Sequence, residues 1–578
     1  MMLSSILFLM LTYSVAHVSS QKKPTGCFAS VNCIERALFK ESSLIHEVDQ
    51  LWLDVDPVTV DKEPELSSFR NFVQKTRLEN SEAIVRGSRH QNAINLFHQT
   101  RRMAIEWKSQ LQSLSQLLAR EPTEPRAHWY CEATRTQAVP AYGQKYNRQQ
   151  TMDKLREFID KAVPMISGRS WLDDMDMMGA SNALFQMRKV YQLSIDDLIA
   201  GRLIDGVVVK PLDAEDLRLV CQFIFEQNLI HKQAELWGQK WLEVVDRTNP
   251  DGYEDALLHY ANLLYKRNDP YRALEIVEHI RIIYPNKTGL DEFEAELRSA
   301  FNKGSCSLER PVYPHYMKDI AETYDNLCNQ HSYISNLDPA MSMTLTCRYE
   351  ETTIPYIRAL VEYANLDPVI KVYHKIISDK EILGIKTITG SHLKQAEVFG
   401  GSVTFSRQAQ NAWLSPLRSP LTKKLMKRVQ LLTGLSTKVN PLKWTRHSED
   451  LQVGNYGPGG FYESHFDSSI AYNDTSRAFA ADAHRLYGSQ GDRIATWMFY
   501  FSDVGAGGRT VFPKINVTIP VTKGSAAFWY NLHRNGSPDM RTLHAGCPVL
   551  LGSKWVGNLW ILEGGQTFRH SCSIDSNI

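Results

Sequence analysis

The sequence predicts a multidomain α+β chain, with helical domains first and a β-rich domain at the C-terminus. Two patterns carry this. Apolar residues recur at three- and four-residue steps up to about residue 300. From about residue 365, β-branched and aromatic runs alternate with glycine-rich turns. The 578 residues are 43% hydrophobic and 22% charged, which fits several globular domains and excludes a disordered, collagen-like or many-span membrane chain. Lysine and arginine total 65 against 64 acidic residues, a net charge of +1. No global field draws in nucleic acid or an anionic membrane, so recognition is local.

Residues 6–16, ILFLMLTYSVA, followed by Ser19 and Ser20, read as a secretory signal peptide over 1–20. That run is too short to span a bilayer, and no later apolar run approaches membrane length. A soluble protein of the secretory pathway is expected. Glycosylation sequons at Asn286, Asn473, Asn516 and Asn535 suit that compartment. The nine cysteines leave at least one thiol free or paired with another chain, and none forms a CxxC motif. The C-terminal Asp-Ser-Asn-Ile is not a retrieval signal, so residence in the endoplasmic reticulum would need a partner.

Residues 21–150 are expected to be helical with a linker. Leu44, Val48 and Leu51 keep helical spacing, as do Leu111, Leu114, Leu117 and Leu118; such stripes pack within the chain or between subunits. Pro122, Pro125 and Pro140 mark 121–150 as the linker. Residues 151–305 turn helical again. The spacing predicts one hairpin from Asp213–Gln227 and His231–Val245, and a second from Tyr253–Lys266 and Pro270–Tyr284. Ala261, Ala273 and Pro285 stand at steps of twelve, the tetratricopeptide pattern, in which small residues let helices cross closely. Such hairpins form a peptide groove in which Tyr260 and Tyr265 are candidate contacts, unless these rings simply pack between repeats.

Residues 306–360 read as a linker, and 361–578 as an antiparallel sandwich or barrel with a helix over Lys423–Leu435 outside it. Within it, His465-Phe-Asp467 places two metal-ligating side chains at i and i+2, which share one face of a strand. Alone the triplet carries no weight. With His544 as a third ligand, two histidines and a carboxylate make the facial triad of a non-haem Fe(II) oxygenase. Where 2-oxoglutarate supplies the electrons, its far carboxylate needs a fixed cation. Lys554, ten residues after His544 and flanked by apolar strand residues, is the candidate.

Asn455-Tyr-Gly457, Tyr462-Glu-Ser-His-Phe-Asp467, Asp492-Arg-Ile-Ala-Thr-Trp-Met-Phe-Tyr500, Thr510-Val-Phe-Pro513, Ala527-Phe-Trp-Tyr-Asn-Leu532 and His544-Ala-Gly-Cys-Pro-Val549 resemble the catalytic alpha subunit of collagen prolyl 4-hydroxylase. The likeness is dense over about 360–573, looser over the hairpins and loosest before 150. It implies a double-stranded β-helix (jelly roll) dioxygenase domain using Fe(II), 2-oxoglutarate and L-ascorbate. It assigns His465, Asp467 and His544 to the metal, Lys554 to 2-oxoglutarate, and Cys328–Cys347 and Cys547–Cys572 to disulfides, while Tyr456 is a further candidate for cofactor binding. Cys27, Cys33, Cys131, Cys221 and Cys306 have no family counterpart, a Cys27–Cys33 bridge being one option.

The implied protein resides in the lumen of the endoplasmic reticulum. It pairs with protein disulfide isomerase as beta subunit in a tetramer of two alpha and two beta chains, and acts on proline-rich, collagen-like peptides. Three departures stand out: Leu562 where the family often has histidine, no tyrosine between Tyr191 and Tyr253, and Arg509 where a small residue is usual. The first two motivate one alternative, a non-catalytic peptide-binding or chaperone subunit; a prolyl hydroxylase of non-collagen secreted peptides is the other.

Overall fold

The computed structural model describes residue 27 and residues 31–85, 92–120, 141–168, 171–203, 206–227, 232–246, 250–267, 269–285, 287–302, 315–329, 347–397, 405–440, 445–469 and 490–573. The signal peptide, Asn286, Asn473, Cys131 and Cys306 lie outside them. The chain divides into two compact units, residues 1–89 with 96–177, and residues 90–95 with 178–578.

The first unit is helical. Helices α1 (Val31–Asp54), α2 (Pro57–Lys62) and α3 (Pro64–Val85) are followed by α4 (Ala93–Arg101), a π-helical segment over Arg102–Glu106, α5 (Trp107–Ala119) and α6 (Ala141–Ile166). Leu44, Val48, Leu51, Leu111, Leu114 and Leu117 share one core with Phe69 and Trp107, so both predicted stripes pack inside the chain. Beneath that core Glu41 is fully buried. It accepts hydrogen bonds from Arg102 Nε at 2.8 Å, Asn80 Nδ2 at 3.0 Å and Trp107 Nε1 at 2.9 Å. The linker expected to reach 150 ends sooner, because α6 begins at Ala141, just past the last of the three prolines.

Helix α7 (Asp174–Tyr191) begins within the first unit and continues into the second, where the short α8 (Ile195–Ile199) precedes α9 (Ala214–Glu226), α10 (Lys232–Val244), α11 (Pro250–Lys266), α12 (Pro270–Ile283) and α13 (Leu290–Asn302). The helix bounds follow the sequence signals. Asp213 caps α9 in a capping box with Asp216, and Asp269 caps α12 with Pro270 at its first position. Ala261 and Ala273 are fully buried, as close helix crossing requires.

The region expected to be a linker contains α14 (His315–Asn329), and the sheet begins earlier than expected, at Cys347. A nine-stranded antiparallel sheet runs β1-β2-β3-β14-β10-β17-β8-β5-β4. Its strands are β1 (Cys347–Glu351), β2 (Arg358–Leu366), β3 (Val369–His374), β4 (Lys394–Gln395), β5 (Gln410–Leu414), β8 (Leu451–Tyr456), β10 (Arg493–Tyr500), β14 (Ala526–Tyr530) and β17 (Lys554–Leu562). A four-stranded sheet runs β13-β12-β15-β9, from β9 (Tyr462–His465), β12 (Thr510–Phe512), β13 (Val517–Ile519) and β15 (His544–Gly546). Two-stranded ribbons pair β6 (Val439–Asn440) with β7 (Thr445–Arg446), and β11 (Ala506–Gly507) with β16 (Val549–Leu551).

Strand alternation sorts the large sheet into two faces. Ala412, Val453, Trp497, Phe499 and Leu559 pack outward beneath α15 (Asp379–Gly390) and α16 (Pro420–Thr433). The helix expected at Lys423–Leu435 is α16. Met498, Tyr500, Val556 and Trp529 face inward, onto Phe512, Val517 and Ile519 of the small sheet.

The disulfides differ from the implied pairing. Cys328 bonds Cys547, with Cα atoms 5.6 Å apart, while Cys347 and Cys572 are exposed free thiols. The cause is packing. Helix α14 lies on β12 and β13, which sets Cys328 against the exit of β15, whereas Cys347 opens a strand at the sheet's edge and Cys572 lies in the C-terminal tail. Cys27 bonds Cys33, and Cys221 is a buried free thiol.

Candidate metal centre

Strands β9 and β15 pair so that His465 lies opposite His544. Each imidazole Nδ1 faces a backbone carbonyl, Glu463 O at 2.8 Å for His465 and Thr542 O at 3.0 Å for His544. A carbonyl only accepts, so Nδ1 carries the proton and Nε2 keeps its lone pair for a metal. His465 Nε2 is 3.9 Å from Asp467 Oδ1, and His544 Nε2 is 3.6 Å from Asp467 Oδ2. One donor atom from each residue falls within 4.8 Å of the others.

Asp467 lies past the end of β9, so strand alternation alone does not aim it. Two bonds from the large sheet do. Thr496 Oγ1 donates to Asp467 Oδ2 at 2.6 Å, and Asn531 Nδ2 donates to Thr496 Oγ1 at 2.9 Å. Arg493 Nη1 donates to the Asp467 carbonyl at 3.3 Å while pairing with Glu449. Beside His465, the Tyr462 ring stacks at 3.6 Å, with the Arg407 guanidinium 4.6 Å from the Tyr462 centroid.

Burial, then the neighbouring His544, lowers His465 to about 3. Burial pushes the Asp467 carboxyl up, but His544, His465 and Arg493 more than offset this, and it stays below its ordinary value. Asp467 is therefore a carboxylate and His465 a neutral imidazole, and with His544 opposite they suit a divalent transition metal with open positions.

Lys554 is buried on the inner face of β17 and pairs in register with Tyr456. Its Nζ donates to Thr510 Oγ1 at 3.3 Å, an oxygen that also accepts from Tyr500 OH at 3.0 Å. The Tyr456 and Tyr500 rings lie 5.8 and 5.9 Å from Nζ. Among the described residues no carboxylate pairs with this ammonium, and burial alone lowers it to about 7. Gly546, two residues past His544, borders the same ammonium, since a Cβ there would lie 3.8 Å from Nζ. A metal-binding triad beside a buried, uncompensated cation fits Fe(II) together with a dicarboxylate.

The other sequence candidates lie elsewhere. Tyr260 is buried between helices, its hydroxyl accepting from Arg272 Nη2 at 2.8 Å and Gln239 Nε2 at 3.1 Å. Half-buried Tyr265 donates to Glu296 Oε1 at 2.9 Å. Asn516 and Asn535 are exposed. Leu562 is buried at the end of β17, and Arg509 is half-buried with Nη1 unpaired. Sequence reasoning missed Thr496, Asn531, Thr510 and Tyr462. Thr496 carried a signal, as a polar residue inside the apolar run Ala495–Tyr500.

Residues 451–562 match the 2OG-Fe(II) oxygenase superfamily. The chain is 33% identical over 427 residues to prolyl 4-hydroxylase subunit alpha-1 of Gallus gallus, covering 70% of this chain and 79% of that protein. It is 33% identical over 430 residues to the same subunit of Homo sapiens, covering 70% and 76%. A solved structure of viral collagen prolyl hydroxylase from Paramecium Bursaria Chlorella virus-1, in its 2OG complex, shares 26% identity with a TM-score of 0.25, covering 33% of this chain and 95% of that one.

Proposed function

Because the chain belongs to the prolyl 4-hydroxylase alpha-subunit family, we propose that it is a procollagen-proline 4-dioxygenase of the endoplasmic reticulum lumen. The observation that carries this is the convergence of His465, Asp467 and His544 beside the buried, uncompensated Lys554. The reaction takes peptidyl proline, 2-oxoglutarate and dioxygen to 4-hydroxyproline, succinate and carbon dioxide.

Fe(II) with 2-oxoglutarate, when bound, supplies the activation of dioxygen. The chain supplies the rest. His465, Asp467 and His544 hold the metal. The two Nδ1–carbonyl contacts fix the imidazole tautomers, and Thr496 turns Asp467 inward. Lys554 holds the far carboxylate of 2-oxoglutarate with Thr510 and Tyr456 beside it, and bringing that anion in restores the ammonium's proton. L-ascorbate would accompany Fe(II) and 2-oxoglutarate as reductant.

The two facing sheets support a double-stranded β-helix, and the paired helices α9–α12 support a tetratricopeptide-like domain over 151–305. Tyr260 and Tyr265 belong to its proposed peptide-contacting region. Residues 1–20 are proposed as the signal peptide, 21–150 as the N-terminal helical region, 306–360 as the link and 361–578 as the catalytic domain. Protein disulfide isomerase as beta subunit, in a tetramer of two of each chain, would retain the protein in that lumen. Asn286, Asn473, Asn516 and Asn535 are its proposed glycosylation sites. Leu562, in a position where the family often has histidine, favours a second reading: a peptide-binding subunit that retains the metal fold without turnover.

The test is succinate release by the protein co-expressed with protein disulfide isomerase, given Fe(II), ascorbate, 2-oxoglutarate and a Pro-Pro-Gly repeat peptide. Peptide-dependent succinate with 4-hydroxyproline by mass spectrometry is expected. Bound iron without peptide-dependent turnover would overturn this reading in favour of the second.

A further inference from the structure

We propose that Trp413 is a docking platform for a substrate residue flanking the reacting proline, an inference that rests on the peptide-hydroxylase reading above. The register places it. Trp413 pairs with Gln452, which pairs with Asn558, which pairs with Met498. Met498 packs in the core between the two sheets, so Trp413 lies on the face that bears the metal site. Yet it is 51% exposed, while its flanking residues Ala412 and Leu414 are buried in the outer core. A large aromatic on the inner face and open to water is a surface for something to lie on.

The platform is continuous with the metal centre. Trp413 packs against Trp560 with ring centroids 5.9 Å apart. The Arg493 guanidinium lies 3.9 Å over Trp560, and Arg493 Nη1 reaches the Asp467 carbonyl. An extended peptide covers that path with about four residues at ~3.1 Å each in polyproline II form. Such a peptide has no internal hydrogen bonds and docks on aromatic faces; its carbonyls accept, and only its non-proline residues, such as glycine, carry an N–H to donate. Asn558, on the same rung as Trp413, has an Oδ1 with no hydrogen-bond partner. The occupant is thus a proline-rich segment already held at the triad, not a separate protein.

The test compares the holoenzyme with Trp413→Ala, Trp413→Phe and Trp413→Gln. It measures peptide KM and kcat, the KM for 2-oxoglutarate, and Kd for a ten-repeat Pro-Pro-Gly peptide titrated without oxygen. Circular dichroism checks the fold, and the glutamine variant serves if the alanine one does not fold. Expected is about a tenfold rise in peptide KM and Kd, the scale for losing an aromatic anchor. kcat and the 2-oxoglutarate KM should hold, and Trp413→Phe should recover most of the loss. A single Pro-Pro-Gly unit, too short to reach the platform, should be turned over alike by all variants. Peptide binding by the unaltered protein that Trp413→Ala and Trp413→Gln leave intact would overturn this inference alone. No peptide binding by the unaltered protein would overturn the function with it.

Discussion

Replacing Thr496 with valine keeps the size and branching of a buried side chain and removes one hydroxyl. That hydroxyl donates to the Asp467 carboxylate at 2.6 Å and accepts from Asn531 at 2.9 Å. A hydrogen bond to a charged group is worth about 1.5–3 kcal/mol, or roughly 10- to 150-fold in a dissociation constant. Loss of outer-sphere partners at metal sites costs about 10–100-fold. Fe(II) affinity of Thr496→Val should therefore fall by about 10–100-fold, with Thr496→Ser restoring most of it. Anaerobic calorimetric titration of the metal-free protein reads this without turnover, and thermal unfolding reports whether the fold survived. A well-folded Thr496→Val with unchanged Fe(II) affinity would refute the claim that this hydroxyl aims the ligand.

The depressed Lys554 gives a proton-linkage prediction. Its folded value of about 7 lies below the ordinary 10.5, so between those values the folded state binds fewer protons than the unfolded, and this group's contribution to stability rises with pH across that window. Binding of 2-oxoglutarate at pH 8 should take up nearly one proton, seen as a dependence of the calorimetric heat on buffer ionisation enthalpy; identical heats in all buffers would count against the assignment. In the first unit, Arg102→Met strands the buried Glu41 carboxylate and should cost about 3–5 kcal/mol in urea unfolding. The double variant with Glu41→Gln should recover much of that, and equal destabilisation in both would sink the argument.

What could be read from the sequence followed from period and spacing. The helix pairs of α9–α12 were legible because capping aspartates and small crossing residues are local signals. His465 and His544 were legible as metal donors because the triad has few chemical solutions, but the reason Asp467 turns inward was not. It lies beyond the strand's end, and its orientation depends on Thr496, on a strand separated from it by more than twenty residues. Trp413 was invisible for the same kind of reason. Its face depends on register across β5, β8 and β17, which a single strand's pattern does not specify. The cysteine pairing failed because connectivity is a property of packing. Cys347 is nearer to Cys328 in sequence, yet α14 lies against β12 and β13 and brings Cys328 to Cys547.

That bond spans 219 residues. In the chain-entropy view, closing so long a loop narrows the unfolded ensemble by about 5 kcal/mol. It also changes what a protease can do. A single cut anywhere between α14 and β15 would leave two fragments that still migrate as one species until reduced. The strand bearing His544 would stay covalently joined to a helix that precedes the first strand of the sheet.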